Sequence, residues 1–351
     1  MTWTGREVFV TGHTGFKGSW LALWLHALGA RVSGYALAPP TAPSLFAQAR
    51  VADGLASTLA DVRDLPRLVA AMAAAAPEVV FHLAAQSLVR ASYADPVETY
   101  ATNVMGTVHV LEAARRVPSV RAVVIVTTDK CYENREWEWG YREVDRLGGR
   151  DPYSNSKACA ELVTDAYRQS FFGDARVAVA SARAGNVIGG GDWAVDRVVP
   201  DAMRAFAAGA PLAIRNPRSV RPWQHVLEPL AGYLALAEHL LRDGAAAAEA
   251  WNFGPPDELV LPVGTLADKL VHAWGGGAAW QGPPPEAAAG PHEATLLRLD
   301  ASKARRRLAW RARLSIDESV AWIVEWHQAV ARGGDARALT LAQIARYEAH
   351  A

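Results

Sequence analysis

The sequence predicts an α/β fold, a doubly wound parallel sheet followed by a smaller C-terminal lobe that binds substrate. Three observations predict it. Short apolar runs alternate with helical patterns from residue 7 to about residue 182. Several runs are apolar at nearly every position, as strands buried on both faces are. A glycine-rich turn joins the first run to the first helix, the arrangement of a Rossmann-type dinucleotide site.

In chain order, Glu7–Thr11 reads as the first strand. Trp20 to Leu28 reads as a helix, stopped by Gly29. Arg31–Leu37 is the second strand, Leu65–Ala75 an Ala-rich helix and Glu78–Leu83 a buried strand. Pro96–Arg116 is one long helix with proline in its first turn, and Val120–Val126 another buried strand. A helix over Ser154–Ser170 and a strand over Val177–Ala182 complete this half. From about Ile188 the pattern loosens. Helices are expected at Val199–Ala208, Val226–Leu241 and Ile316–Val330, a surface loop at Ala245–Ala248 and a Gly/Pro/Ala loop at Ala278–Pro291. Residues 1–185 are therefore expected to form a dinucleotide-binding domain that carries the catalytic residues. Residues 186–351 are expected to form a mixed lobe, with the chain crossing between the two.

Formal net charge is zero, so nothing points to nucleic acid or an anionic membrane. Cys131 and Cys159 lie in no metal-ligand spacing and suggest no disulfide framework, and no metal is expected. No charged leader precedes the first strand and no apolar stretch could span a bilayer, so a cytoplasmic protein is expected. Only five of the 36 basic residues are lysine, at 17, 130, 157, 269 and 303, and three of these fall in the motifs below.

Gly12-His13-Thr14-Gly15-Phe16-Lys17-Gly18 lets the backbone turn tightly and approach a pyrophosphate, and the helix N-terminus then offers N–H donors. Lys17 is not in a Gly-Lys-Ser/Thr triplet, which excludes a nucleoside-triphosphate loop. Asp61 and Val62 lie where such folds meet the adenine, and the small residues of Leu83-Ala84-Ala85-Gln86 let a cofactor lie close. The second strand ends at Ala38 without the acid that grips an NAD ribose, so the residues leave NAD and NADP both open.

Tyr153 and Lys157 form a Tyr-x-x-x-Lys pair on one helix face. A nearby ammonium lowers a phenol's pKa, so Tyr153 can accept a proton while hydride leaves the neighbouring carbon. Thr127-Thr128-Asp129-Lys130 ends a strand where open α/β sheets bind ligands, and sets a hydroxyl, a carboxylate and an amine together.

Longer strings make a resemblance specific. Thr11 to Trp20, Thr128-Asp129-Lys130-Cys131-Tyr132, Asp151-Pro152-Tyr153-Ser154-Asn155-Ser156-Lys157, Ala184 to Trp193 and Arg221 to Val226 resemble the CDP-glucose 4,6-dehydratases, of the extended short-chain dehydrogenase type, along nearly the whole chain. Lys130 fits that family, because the related dTDP-glucose enzymes carry Glu there, whereas Ala38 departs from the acid often found in it. The resemblance implies an internal redox dehydration of CDP-glucose with NAD as cofactor. Tyr153 takes the 4-hydroxyl proton, Thr128 holds the 4-oxygen, Asp129 protonates the leaving 6-hydroxyl and Lys130 is the base at C5. Asn103 and Thr127 join the cofactor site. Asn186 and Arg221, then Arg197, Arg215 and His292, are the candidates for the nucleotide diphosphate, since a guanidinium fork suits phosphate.

Two rivals remain. A same-fold nucleotide-sugar 4-epimerase uses Tyr153 and Lys157 but needs no acid/base pair for water loss. A non-catalytic dinucleotide sensor need preserve neither residue. The helices Pro96–Arg116 and Ser154–Ser170 could pair across a two-fold axis, giving a homodimer or homotetramer.

Overall fold

The computed structural model describes residues 2–173, 176–256, 259–283 and 294–350. Six strands come in the first half: β1 (Glu7–Thr11), β2 (Arg31–Ala36), β3 (Ala56–Leu59), β4 (Val79–His82), β5 (Ala122–Val126) and β6 (Ala178–Ala184). The second half adds β7 (Asn186–Ile188), β8 (Leu212–Ala213), β9 (Val220–His225), β10 (Ala250–Phe253), β11 (Val260–Pro262) and β12 (Trp280–Gln281). The main sheet has seven strands, all parallel, in the order β10-β6-β5-β4-β1-β2-β3. Strand order reverses beside β1, so the crevice at the carboxyl ends of β1 and β4 is the switch point where such sheets take ligands.

Successive side chains of a strand face opposite ways, and the two faces hold separate cores. In β5, Val124 and Val126 pack with helices Phe16–Ala27 and Leu227–Asp243, while Val123 and Ile125 pack with helices Leu65–Ala75 and Gly106–Arg116. β4, β5 and β6 are buried at every position; β5 is apolar throughout, whereas β4 ends on His82 and β6 holds Ser181 and Arg183. A third core joins helices Val198–Ala207, Val263–Trp274 and Ile316–Ala331. Beside it lies the small sheet β11-β9-β7. After residue 185 the chain returns to the large sheet, where β10 pairs with β6.

Several elements differ from expectation. The first helix begins at Phe16, not Trp20, because Gly15 is its extended N-cap. The expected single helix Pro96–Arg116 is Pro96–Tyr100, a π turn at Ala101–Met105, and Gly106–Arg116. One extra residue per turn leaves no mark on a 3.6-residue pattern. Ala245–Ala248 is not all surface: Ala247 is buried and its carbonyl accepts from Trp251 Nε1. Within the expected loop Ala278–Pro291, Trp280–Gln281 pairs with β8, and 284–291 lie outside the described residues.

Candidate active site

The helix Pro152–Phe171 starts abruptly. Pro152 stands at its first position, and the Asp151 carboxylate accepts from the Ser154 N–H at 2.8 Å. The Tyr153 N–H donates to Ser92 Oγ at 3.1 Å. These bonds hold Tyr153 in the first turn and Lys157 one turn later on the same face. Burial pushes the Tyr153 phenol up to about 12, while a hydrogen bond with Thr128 and the Arg197 guanidinium draw it back. The Lys157 ammonium is not the group that lowers Tyr153 in this arrangement, because it donates to the Val126 carbonyl at 3.3 Å. Burial lowers Lys157 to about 8, opposed by the Glu161 carboxylate.

β5 delivers the second cluster. Its last residue, Val126, leads into Thr127 and Thr128, and a short 3₁₀ turn follows at Asp129–Cys131. Thr128 Oγ1 donates to Asp129 Oδ1 at 2.9 Å. Asp129 is buried, and its Oδ2 has no hydrogen-bond partner among the described residues. The Lys130 ammonium lies 3.9 Å from Asp129 Oδ1. Thr127 turns the other way and donates to the buried Glu161.

The glycine loop has the shape a dinucleotide needs. Gly12 has φ +78°, and a Cβ there would lie 2.6 Å from Ala84 N. A Cβ on Gly18 would lie 2.0 Å from Gly12 O, so strand, turn and helix meet at van der Waals distance. Gly15 caps the helix Phe16–Ala27 with no side-chain bond, and the first N–H groups are left for an anion. Thr14 Oγ1 donates to Leu37 O at 2.9 Å, which pins the loop to the end of β2. Asn103 is buried in the π turn and holds the loop after β4: its Oδ1 accepts from Gln86 N, and its Nδ2 donates to Gln86 O and Ser156 Oγ, each at 2.9 Å. Asn103 thus joins Leu83-Ala84-Ala85-Gln86 to the catalytic helix. The Asp61 carboxylate is held by Arg63, and Val62 is buried against Gly106.

A cavity of about 760 Å³ brings the other candidates together. Phe16, Lys17, Thr127, Thr128, Lys130 and Tyr153 line one part of it, and Asn186, Arg197, Arg215 and Arg221 also line it. Burial lowers Lys17 to about 7, with Lys157 and Arg197 acting the same way and Asp129 opposing. Arg197 bonds Asp192 at 3.2 Å and Ser87 at 3.0 Å, tying the small lobe to the loop after β4. Asp196 lies 2.9 Å from Arg215 and 3.7 Å from Arg90. The Asn186 Oδ1 is buried without a hydrogen-bond partner among the described residues. His292 lies outside the described residues.

The sequence model of the GDP-mannose 4,6 dehydratase family matches residues 9–251. A CDP-glucose 4,6-dehydratase of Salmonella typhimurium is 53% identical over 350 residues, covering 98% of this chain and 97% of that protein. The chain belongs to the nucleotide-sugar 4,6-dehydratase family. Within that family, a dTDP-glucose 4,6-dehydratase of Streptomyces antibioticus is 31% identical over 76% of this chain and 75% of that protein. Among solved structures, a UDP-glucose 4-epimerase of Stenotrophomonas maltophila with bound NAD superposes with a TM-score of 0.81 at 21% identity, over 94% of this chain and all of that one. A dTDP-glucose 4,6-dehydratase of Bacillus anthracis in complex with NAD gives 0.77 at 18% identity, over 94% of this chain and 99% of that one. These two likenesses concern the fold: a seven-stranded parallel sheet of the Rossmann type.

Sequence reasoning missed part of the site. Ser87, Asp192 and Asp196 line the cavity, and Glu161 and Arg183 lie buried behind it. Glu161 carried one signal, its position four residues after Lys157 on the same helix. Arg183 carried none, being one of 31 arginines.

Proposed function

We propose that this chain is a CDP-glucose 4,6-dehydratase, converting CDP-glucose to CDP-4-dehydro-6-deoxyglucose and water with NAD as cofactor. The observation that carries the reading is the grouping of Thr128, Lys130 and Tyr153 at one cavity, with the buried Asp129 carboxylate 3.9 Å behind the Lys130 ammonium, in a chain 53% identical to a protein of that activity. A bound nicotinamide dinucleotide would accept a hydride from C4 and return it to C6. The residues of the glycine loop fit its pyrophosphate, and the small residues after β4 fit a flat ring. Solved structures of the same fold in complex with NAD support NAD as that cofactor.

Tyr153 takes the 4-hydroxyl proton, and Thr128, whose hydroxyl lines the same cavity, holds the 4-oxygen. The resulting ketone acidifies C5–H. Lys130 removes that proton while Asp129 donates one to the 6-hydroxyl, which leaves as water, and the Lys130 ammonium would give its proton back to C5 when hydride is delivered to C6. The pair that does this, a neutral amine and a carboxylic acid, differs from the observed ion pair by the position of one proton. An epimerase has no use for that couple. Arg197, Arg215, Arg221 and Asn186 would take the diphosphate, which can replace Asp192 and Asp196 as the anion at Arg197 and Arg215.

A homodimer is supported by apolar side chains left exposed on adjoining segments: Val97 on Pro96–Tyr100, Met105 in the π turn, and Leu162 on Pro152–Phe171. No helix among the described residues is long and apolar enough to cross a membrane.

The test is incubation with CDP-, dTDP-, UDP- and GDP-hexoses, following 4-keto-6-deoxy product. CDP-glucose should be turned over with the highest kcat/KM and with no net accumulation of reduced cofactor. A preference for dTDP-glucose or GDP-mannose, or reduced cofactor released one for one with product, would overturn the reading.

A further inference from the structure

Behind the catalytic face lies a buried charge pair that the mechanism above does not use. Glu161 and Arg183 are both almost completely buried, and their charged groups meet at 2.8 Å. Arg183 stands on β6, and Glu161 on the helix that carries Tyr153 and Lys157. The carboxylate is saturated with donors. Ser181 Oγ donates to Oε2 at 2.6 Å and Arg183 Nη2 to the same oxygen, while Thr127 Oγ1 donates to Oε1. Arg183 Nη1 reaches on to the Tyr132 hydroxyl at 2.8 Å, which in turn donates to Asn252 of β10 at 2.7 Å. One carboxylate therefore fastens the catalytic helix to the ends of β5 and β6 and, through Arg183, to β10.

We propose that Glu161 is a positioning residue of the dehydratase, holding Thr127 and the turn that follows it and setting a buried carboxylate one helical turn from Lys157. The inference rests on the proposed reaction for its meaning in catalysis, but not for its geometry. Burying two charges costs a chain several-fold more than it costs to leave them in water, and pairs of this kind often contribute little net stability. A purely structural link between helix and sheet could have been apolar. The position is better suited to electrostatics: Glu161 is four residues from Lys157 on one helix face.

The other groups around Lys157 explain why a carboxylate is needed there. Tyr153 shares its helix, Cys131 lies on the turn after β5, His82 ends β4, and Lys17 reaches over from the helix Phe16–Ala27. Burial keeps His82 neutral and pushes the Cys131 thiol up, so neither offers Lys157 a charge at neutral pH. Lys17, where charged, repels it. The Glu161 carboxylate is the full negative charge that favours the Lys157 ammonium. Burial would raise its own pKa, but the Arg183 charge, with the three hydrogen-bond donors, outweighs that and holds it below the usual carboxylate value. Without Glu161, burial alone would act on Lys157, whose pKa would fall below the present value of about 8.

The chain has five lysines, so a lysine-selective ¹³Cε/¹⁵Nζ NMR spectrum is sparse, and Lys157→Met assigns the resonance. In Glu161→Gln the Lys157 midpoint should fall by about one unit or more, and in Glu161→Asp it should stay close to wild type. Because Glu161→Gln leaves Arg183 buried without its partner, the double variant Glu161→Gln/Arg183→Met removes both charges and spares the fold. It should show a fall in Lys157 of the same direction, smaller by the repulsion that Arg183 no longer exerts. A Lys157 midpoint unmoved in the double variant would overturn the proposal and leave Glu161 a structural partner of Arg183. The NMR titration needs no turnover, so a wild-type enzyme inactive on CDP-glucose would refute the reaction while leaving this result standing.

Discussion

At the scale of single residues, the proposed catalytic roles separate by what each side chain can exchange. Tyr153→Phe keeps the ring and its packing but removes the proton acceptor, so the oxidation at C4 should not occur. Asp129→Asn keeps the shape of a buried carboxyl whose Oδ2 is open, yet cannot protonate the leaving hydroxyl. Lys130→Met keeps the length but cannot take the C5 proton. These two variants should oxidise C4 and then stall before water is lost. A positioned acid or base is worth about 10²–10⁴ in rate, so the stall should be plain in a single turnover with CDP-glucose. Reduced-nicotinamide absorbance should rise and persist in the Asp129 and Lys130 variants and stay flat in Tyr153→Phe. Equal loss of signal in all three would make Asp129 and Lys130 substrate-positioning residues. The phenol itself is pushed up to about 12 by burial before substrate enters. The groups that draw it down, Thr128 and Arg197, both line the cavity, so proton removal is tied to substrate being in place.

At the scale of elements, the π turn Ala101–Met105 is the feature with the most direct consequence for the cofactor site. It places Asn103 where one amide satisfies both backbone groups of Gln86 and reaches Ser156 on the catalytic helix. Asn103→Leu should leave the Gln86 N–H buried without an acceptor, costing about 1–3 kcal/mol of stability in a urea titration. It should also weaken NAD binding while leaving CDP binding near wild type, and an unchanged NAD titration would refute the coupling. The elements show what a single sequence carries. Tyr153 and Lys157 were legible because one helix holds both at a spacing of four, and the glycine loop because its spacing follows a strand. Thr128, Asp129 and Lys130 were legible because three unlike groups end one apolar run. Asn103 with Gln86, Ser87 with Arg197 and Glu161 with Arg183 are pairings across 17, 110 and 22 positions. Contacts of that kind arise from the register of packed elements and leave no local pattern. The second half was read less completely for the same reason. β7, β8, β11 and β12 have two or three residues each, too short for period-two alternation to show, and helix Val263–Trp274 went unread between them.

For the whole molecule, two properties follow from burial. Four histidines are held neutral by burial: His13 and His327 are lowered to about 4, His82 and His225 to about 3. In the unfolded chain each binds a proton near pH 6.5, so between pH 6.5 and about 4 the unfolded state holds more protons than the folded one. Stability is therefore complete above pH 6.5 and falls as pH drops, by up to about 1.4 kcal/mol per pH unit for each ring. The urea midpoint should fall steadily between pH 6.5 and 5, and a flat midpoint there would contradict neutral buried rings. The second is a set of exposed apolar side chains on adjoining helices, proposed above as a two-fold interface. Val97 and Leu162 are more than half exposed, although their helices pack their other faces into the molecule. An apolar stripe along two adjoining helices suits a two-fold interface, in which the same patch meets itself. Placed on the axis, it would back the helix that carries Tyr153 and Lys157 and stiffen both sites at once. Light scattering should give twice the mass of 37.7 kDa, or four times it if dimers pair. Leu162→Glu sets two carboxylates against each other across such an axis, so it should shift the protein toward monomer in proportion to dilution while circular dichroism stays unchanged. Its kcat should fall with the dimer fraction and recover at high concentration. A wild-type monomer, or a Leu162→Glu variant of undiminished mass, would show that this face is not the interface.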